Sequence, residues 1–299
     1  MNNMINNTID DTAILLKANY DEQKLFDLSI GEKIPSRKAV ETIIDKLRIL
    51  TFPGFFGTEN MAYVSKENFA GNTLAILYEL LFKQIRTALS FGYMKDEDCD
   101  KVNDKATECA LEFIKVIPDI QHMIMEDVKA EYDGDPAAMD MYDVILSYPG
   151  LYAIFVYRYA HKLYEMNIPY IPRIMSELAH GSTGIDINPG AKIGAYFCID
   201  HGTGIVIGET TIIGSHVKIY QGVTLGALST RKGQALSGVK RHPTIEDNVV
   251  IYANTTVLGG ETVIGENSVI AGNSFITSSI PKNTRVITSA PEFTLHTKN

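Results

Sequence analysis

Between Ile185 and Ile276, aliphatic residues recur at every sixth position, with register slips of two residues and then of one. The repeat positions are Ile187, Ile193, Ile199, Ile205, Ile207, Ile213, Ile219, Leu225, Ile245, Ile251, Val257, Ile264, Ile270 and Ile276. This period predicts short strands and tight corners that coil into a β-solenoid, with one aliphatic side chain per hexad pointing inward. A β-sandwich would instead show a period of two residues. Glycines after the aliphatic positions, such as Gly194 and Gly208, suit corners that need a positive φ or a close backbone approach.

The chain before the solenoid has a helical pattern, since apolar residues recur at spacings of three and four from about Thr8 to His180. One helix is predicted to start at Pro35 and Ser36 and to stop at the FPGFFG run, 52–57. Later helices are predicted over residues 98–116, 120–132, 138–146, 149–167 and 172–180. The polar run at 131–138 looks like a linker. Helices placed first in the chain can cap the open end of a solenoid, whose strand edges are unpaired.

These patterns predict an α+β protein with two domains. An N-terminal all-α helical domain, residues 1–180, precedes a parallel β-helix domain, residues 181–299, which has a protruding loop at 226–243 and a C-terminal tail. A chain of 299 residues with 45% hydrophobic content can bury two moderate cores. The helices beyond the cap are expected to self-associate.

The composition favours a protein that acts on small molecules over one that binds nucleic acid or membranes. The net charge of −9 and the pI of about 5.3 argue against a nucleic-acid or anionic-membrane partner, because either needs a basic face. The three cysteines, Cys99, Cys109 and Cys198, have neither disulfide nor zinc spacing. No apolar run reaches the roughly 18 residues of a membrane helix, and the start of the chain is polar and acidic, unlike a signal peptide. We expect a cytoplasmic protein.

Two polar interruptions of the repeat carry candidate chemistry, and the first is the run Asp200-His201-Gly202-Thr203-Gly204. Asp186 lies fifteen positions before His201. With about eighteen residues per turn, the two would lie close together on successive turns. An aspartate that holds one imidazole nitrogen while the other faces a substrate is the arrangement of a general base. A purely structural histidine is the alternative.

The second interruption is the excursion at 226–243, which must leave the prism as a loop. Arg241 and His242 at its base suit a carboxylate, and we expect them one turn above His201. A solvated basic loop is the alternative. A zinc site would draw on His201, His216 and His242, but no two of these form a closely spaced pair, so no metal is predicted.

The strings DINPGAKIG, IDHGTGIVIGET, QGVTLGAL and KRHPTI, preceded by GDPAA, closely resemble the serine O-acetyltransferase family. The resemblance covers roughly Glu131 to Ile276. It implies a left-handed parallel β-helix that assembles as a homotrimer or homohexamer with active sites between subunits. It also implies transfer of the acetyl group of acetyl-CoA to L-serine, the first step of cysteine biosynthesis from serine, with feedback inhibition by L-cysteine. Direct transfer without a covalent intermediate is predicted because no Cys or Ser is placed as a nucleophile beside His201.

The matching motifs imply a role for each of ten residues. They are His201 as general base, oriented by Asp186; Asp135 and Asp200 for the serine ammonium; Arg241 and His242 for its carboxylate; Gly226 and Ala227 for the oxyanion; and Ala253 and Gly272 along the pantetheine arm of acetyl-CoA. The tail SAPEFTLHTKN lacks the terminal isoleucine that normally inserts into O-acetylserine sulfhydrylase, so a complex with that enzyme is not expected. Two other functions stay open: O-acetylation of a sugar or other alcohol, and a catalytically inactive assembly scaffold.

Overall fold

The structure is a computed structural model that describes residues 2–22, 34–57, 65–229, 231 and 233–288. Seven α-helices lie within these ranges: α1 (Asn2–Glu22), α2 (Arg37–Thr51), α3 (Lys66–Phe91), α4 (Cys99–Gly134), α5 (Met141–Ser147), α6 (Pro149–Glu165) and α7 (Ile171–Thr183). Fourteen short strands lie in the same part of the chain: β1 (Asp186–Ile187), β2 (Lys192–Ile193), β3 (Cys198–Asp200), β4 (Val206–Ile207), β5 (Ile212–Ile213), β6 (Lys218–Tyr220), β7 (Thr224–Gly226), β8 (Thr244–Ile245), β9 (Val250–Ile251), β10 (Thr256–Leu258), β11 (Val263–Ile264), β12 (Val269–Ile270), β13 (Phe275–Ile276) and β14 (Arg285–Val286). The chain divides into two compact units, residues 1–34 and 35–299, and the second holds α2 to α7 and every described strand. The C-terminal tail lies outside the described residues.

The strands form three parallel sheets, which are the three sides of a coiled prism. The first sheet has the order β1-β4-β7-β10-β13, the second β2-β5-β8-β11 and the third β3-β6-β9-β12-β14. Successive turns pair in register, so that Asp186 lies beside Val206 and Thr224 beside Thr256. The predicted fold class, helices followed by a parallel β-solenoid, is confirmed.

The repeat positions point into the prism, as the sequence predicts. All fourteen of the aliphatic side chains are at most 9% exposed, and they belong to one hydrophobic cluster. Full burial of one such side chain stabilises the fold by about 2 kcal/mol. The stacked aliphatics therefore hold each turn on the next.

The corners between the sheets often take a left-handed backbone conformation. Asparagines in this conformation, with φ between 56° and 59°, are Asn248, Asn254, Asn267, Asn273 and Asn283. Asparagine tolerates a positive φ because its short side chain can hydrogen-bond locally. The glycines after the aliphatic positions serve a different purpose, since a Cβ at Gly194 would lie 2.6 Å from the carbonyl carbon of Gly214. Close approach between turns, and not a positive φ, requires glycine there.

Helix α4 is longer than the sequence pattern indicates. The prediction of a break between two helices near Pro118 is wrong, because α4 is continuous through this residue. A proline inside a helix leaves the carbonyl four residues earlier without its donor. Pro118 is exposed and so does not crowd the core, while the buried Phe113 and Ile124 hold both halves of the helix on the core.

Helices α2, α5, α6 and α7 agree with the prediction more closely. Ser36 caps α2 by accepting the Ala39 N–H at 3.3 Å, and α2 ends at the FPGFFG run. The linker expected at 131–138 is shorter, since α4 continues to Gly134. Asp135 is therefore the residue that directly follows the helix.

Side chains of α4 and α6 bond the backbone of the first solenoid turn. Arg158 donates to the carbonyls of Ile193 and Gly194, both at 2.6 Å, and forms a buried ion pair with Asp127. Asp127 also accepts the Phe197 N–H at 3.0 Å. A buried strand edge without partners is costly. These side chains therefore supply the hydrogen bonds that a preceding turn would otherwise make.

Glu131, also on α4, accepts a hydrogen bond from the backbone of the same first solenoid turn. Its Oε1 accepts the Ile199 N–H at 2.9 Å, and its Oε2 lies 3.5 Å from Cys198 Sγ. Burial raises the pKa of Glu131 to about 8, although the Ile199 N–H opposes the shift. The carboxyl is consequently largely protonated at neutral pH.

The predicted boundary between helical and solenoid domains, at residues 180 and 181, lies inside α7, which ends at Thr183. The division into these two domains stays a prediction, because the compact unit 35–299 contains both parts. Among the helices described here, none combines the length and the apolar character that crossing a bilayer demands.

Candidate active site

Two edges of the prism carry most of the residues predicted for the site. We call the edge between the third and first sheets the His201 edge; in successive turns it consists of residues 201–205, 221–223, 252–255 and 271–274. We call the edge between the first and second sheets the Thr210 edge; it includes residues 208–211 and, one turn higher, the loop that leaves β7. The two edges lie on opposite sides of the first sheet.

His201 follows β3 directly and has a left-handed φ of 59°. Asn254 and Asn273 take the same backbone conformation in higher turns of this edge. The His201 side chain is 74% exposed, and its Nε2 lies 3.5 Å from Asp200 Oδ1. Its imidazole is therefore accessible to a ligand at the prism edge.

Asp186 begins β1, close to the His201 edge. It pairs with Val206, twenty residues later, because the two-residue slip lengthens this turn. The corner that follows His201 lies one turn above the start of β1, because the Gly204 N–H donates to the Gly184 carbonyl and the Asp186 N–H to the Ile205 carbonyl. Asp186 Oδ1 is buried without a hydrogen-bond partner among the described residues. A hydrogen bond between Asp186 and His201 stays a prediction.

Asp200 is held by Lys218, a residue that sequence analysis did not single out. Lys218 Nζ lies 2.8 Å from Asp200 Oδ2 and donates to the Gly134 carbonyl at 2.7 Å. Burial lowers the pKa of Lys218, but the hydrogen bond to Asp200 and the interaction with Tyr220 raise it more, so that the pKa lies above its usual value. Lys218 and Gly134 are 84 residues apart, and no local pattern signals this contact.

Asp135 reaches the same region from the end of α4. Tyr148 donates its hydroxyl to Oδ2 at 2.6 Å, and the Ala137 N–H donates to Oδ1 at 2.8 Å. These hydrogen bonds, and then the charges of Lys218 and His201, hold the pKa of Asp135 below its usual value. Asp135 directly follows Gly134, whose carbonyl accepts the Lys218 ammonium, so Lys218 connects this segment with Asp200 at the end of β3.

His242 lies at the Thr210 edge and is almost completely buried. Its Nδ1 accepts the Thr210 N–H at 3.0 Å, which leaves the proton on Nε2 as a donor for a carboxylate. Burial, and then the charge of Arg241, lower the pKa of His242 to about 4. The expected position of Arg241 and His242 one turn above His201 is wrong, because the loop leaves the first sheet on its other side, above Thr210.

Arg241 already has partners within the chain. Its Nη2 contacts Glu209 Oε2, and its Nη1 donates to the Leu236 carbonyl at 3.2 Å. Glu209 also accepts the Tyr164 hydroxyl at 3.1 Å. A substrate carboxylate at Arg241 would therefore share the guanidinium with Glu209, which sequence reasoning missed.

The four residues predicted to bind acetyl-CoA divide between the two edges. Gly226 ends β7 and Ala227 follows it, at the Thr210 edge. Ala253 and Gly272 lie in successive turns of the His201 edge. A Cβ at Gly272 would come within 3.0 Å of the Ala253 carbonyl oxygen. The wall of the prism is therefore tightly packed at this point.

The predicted site residues thus form two groups in a single chain. Those in or beside the His201 edge are Asp135, Asp186, Asp200, His201, Ala253 and Gly272; those at the Thr210 edge are Gly226, Ala227, Arg241 and His242. Residues 203–208 cross the first sheet between the edges and, extended at about 3.3 Å per residue, span roughly 16 Å. One chain does not bring the two groups together.

The three histidines weighed as zinc ligands lie at three different edges. His216 lies between the second and third sheets, where it stacks on Tyr196 with ring centroids 4.4 Å apart. One ion could not reach all three in a single chain. A different group, Glu177, His180 and Asp186, has donor atoms within 4.8 Å of one another, but His180 is already 3.3 Å from Glu177 as part of an ion-pair network on α7.

A parallel solenoid with an inward aliphatic side chain in every hexad defines the class of hexapeptide-repeat proteins. The chain is 43% identical over 227 residues to the protein named serine acetyltransferase, plasmid, of Synechococcus elongatus, which covers 74% of this chain and 71% of that relative. The chain belongs to the serine acetyltransferase family, and the resemblance seen in its motifs is confirmed. No family model matches it.

Solved structures of serine acetyltransferases are similar to this fold. Serine acetyltransferase 1 of Entamoeba histolytica, in complex with L-cysteine, is 34% identical with a TM-score of 0.73, over 86% of this chain and 87% of that one. Serine acetyltransferase of Neisseria gonorrhoeae, in complex with serine, is 25% identical with a TM-score of 0.55, over 84% of this chain and 95% of that one. These shares are larger than the solenoid alone, so the likeness extends into the helices.

Proposed function

We propose that the protein transfers the acetyl group of acetyl-CoA to the hydroxyl of L-serine, giving O-acetyl-L-serine and CoA, the first step of cysteine biosynthesis from serine. Membership of the family supports this function. One observation at the site supports it as well: Asp135 directly follows Gly134, whose carbonyl accepts Lys218, and Lys218 pairs with Asp200, the neighbour of His201. Two carboxylates near an exposed imidazole suit a substrate that carries both an ammonium and a hydroxyl.

His201 is the proposed general base. As the serine Oγ attacks the thioester carbonyl, the imidazole takes the hydroxyl proton, and it returns a proton to the CoA thiolate when the tetrahedral intermediate collapses. The partnerless Oδ1 of Asp186 supports a role in orienting the ring, because a buried acceptor without a donor is costly. Burial raises the pKa of Cys198 and keeps it a thiol. This supports direct transfer without a covalent cysteine intermediate.

The carboxylate of L-serine would bind Arg241 and the Nε2–H of His242. These residues lie across the first sheet from His201, at a separation of roughly 16 Å that one amino acid cannot bridge. We therefore infer that each site combines the His201 edge of one subunit with the Thr210 edge of the next, in a ring of three solenoids. A homotrimer, or a homohexamer built from two trimers, and a cytoplasmic location stay predictions.

Acetyl-CoA would be bound by residues from both edges. We place its pantetheine arm along Ala253 and Gly272, above the His201 turn. The backbone N–H groups near Gly226 and Ala227 of the next subunit would then face the oxyanion of the tetrahedral intermediate. Acetyl transfer would need no metal ion.

Thiol release from acetyl-CoA in the presence of L-serine tests this function. His201→Ala should lower the turnover by about two to four orders of magnitude, the usual contribution of a general base. His216→Ala is the matched control, because His216 stacks on Tyr196 at a different edge, and it should stay within about threefold of wild type. Comparable losses in both variants, or wild-type turnover without His201, would remove His201 from the mechanism.

A further inference from the structure

We infer that Lys218 is a positioning residue for the substrate ammonium: it ties Asp200 to the segment that carries Asp135 and leaves these two carboxylates with one net negative charge. The inference rests on the proposed function, because it assumes that both carboxylates receive the ammonium of L-serine. Lys218 itself need not touch the substrate.

The ammonium of Lys218 has three directed contacts. It donates to the Gly134 carbonyl at 2.7 Å, pairs with Asp200 Oδ2 at 2.8 Å and lies 4.6 Å from the centroid of the Tyr220 ring. A lysine ammonium has three hydrogens, and the face of an aromatic ring attracts a cation. Only 17% of the Lys218 side chain is exposed. Its position is therefore set by its partners rather than by solvent.

These contacts connect two distant segments of the chain. Lys218 is on β6, directly beside β3, and β3 ends at Asp200. Gly134 is the last residue of α4, and Asp135 follows it. The helix end also packs closely on β3, since a Cβ at Gly134 would lie 3.2 Å from Cys198 Sγ. Lys218 therefore sets the position of Asp200 relative to the backbone next to Asp135.

The charges on these residues also favour a single ammonium. Asp135 and Asp200 carry two negative charges, and Lys218 supplies one positive charge. Lys218 engages Oδ2 of Asp200 and leaves Oδ1 facing His201 at 3.5 Å. Without Lys218, a largely buried carboxylate would lose its partner, which is costly and allows the side chain to move. Loss of Lys218 should therefore weaken the binding of L-serine more than it slows the acetyl transfer.

Kinetics of Lys218→Met and Lys218→Arg test this role. For Lys218→Met we expect the KM for L-serine to rise about tenfold, since a charge-assisted hydrogen bond no longer holds the receiving carboxylate. The kcat and the KM for acetyl-CoA should change less than threefold. Lys218→Arg, which keeps the charge, should return the serine KM to within threefold of wild type. Lys192→Met, at an exposed lysine of β2, is the matched control and should match wild type.

Two results would overturn the inference. One is a serine KM within threefold of wild type in Lys218→Met; the other is an equal rise of the KM for both substrates, which would indicate a merely structural role. Circular dichroism and light scattering check folding and assembly. If the methionine variant does not assemble, Lys218→Gln, which keeps a polar group without the charge, is measured against the same limits.

A double-variant cycle shows whether Lys218 acts through Asp200. In an Asp200→Asn background, Lys218→Met should change the serine KM by less than threefold, because the carboxylate that it positions is already neutral. If the two substitutions instead raise the serine KM by factors that multiply in the double variant, the inference is contradicted. Wild-type activity separates the two proposals: an inactive wild type would reject the proposed function and this inference with it, whereas an active wild type with insensitive Lys218 variants would reject the inference alone.

Discussion

Subunits with opposite halves of the proposed site removed should restore activity when they assemble together. His201→Ala removes the base from the His201 edge, and Arg241→Ala removes the cation from the Thr210 edge, across the first sheet. Neither variant alone forms a complete site. In a mixed trimer, a site is complete where the subunit that lacks Arg241 contributes His201 and the next subunit contributes Arg241.

The extent of restoration follows from the ring geometry. Each site depends on one ordered pair of neighbours, so random assembly of equal amounts completes about one quarter of the sites. The two variants should therefore be co-expressed at equal levels and assayed for thiol release with L-serine. We expect about one quarter of the wild-type turnover, against about 1% or less for His201→Ala alone.

Two changes at the same edge supply the matched control. Co-expression of His201→Ala with Asp200→Asn leaves at least one defect in every site, because both residues lie at the His201 edge. This pair should show no restoration beyond the activity of its better member. Absence of restoration with the first pair, or equal restoration with the control pair, would refute a site shared between subunits.

Three further predictions concern inhibition, the acetyl-CoA wall and pH. L-Cysteine has the ammonium and carboxylate of L-serine and should compete with it; initial rates with both varied will check this, and a serine dependence unaffected by cysteine would contradict it. Gly272→Val should crowd the Ala253 carbonyl oxygen and raise the KM for acetyl-CoA more than that for L-serine, so a selective rise in the serine KM would contradict this wall assignment. The pKa of Glu131 is raised from 4.5 to about 8, so the folded state binds this proton more tightly than the unfolded state does. The contribution of Glu131 to the free energy of unfolding therefore falls as the pH rises from 4.5 to 8. The thermal unfolding midpoint of Glu131→Gln should therefore fall less between pH 5 and 8 than that of wild type. The same pH dependence in both proteins would contradict the raised pKa of Glu131.

The hexad repeat made the solenoid predictable, because each inward position depends only on its own six-residue segment. Ile187 and Ile270 are buried in the same way although they lie several turns apart. Most helices were predictable for the same local reason. Pro118 is the exception, because its tolerance depends on which face of α4 meets the core, and a local signal does not encode this.

The positions of the site residues were less predictable. Which edge a residue occupies depends on the register of every preceding turn, so the loop with Arg241 was expected above His201 and lies above Thr210 instead. Contacts between distant segments were missed altogether, as with Lys218 and Gly134. Motif matching identified candidate residues but could not reveal the side chains that hold them.

Identification of the acetylated product is the most direct test of the proposed reaction. The wild-type protein would be incubated with acetyl-CoA and equal amounts of L-serine, ethanolamine and glucose, and the products analysed by mass spectrometry. Ethanolamine has the ammonium and hydroxyl of serine but no carboxylate for Arg241 and His242, and glucose has only hydroxyls. We expect O-acetyl-L-serine as the main product, and its loss in His201→Ala. Preferential acetylation of glucose or ethanolamine, or intact acetyl-CoA after long incubation, would contradict the proposal.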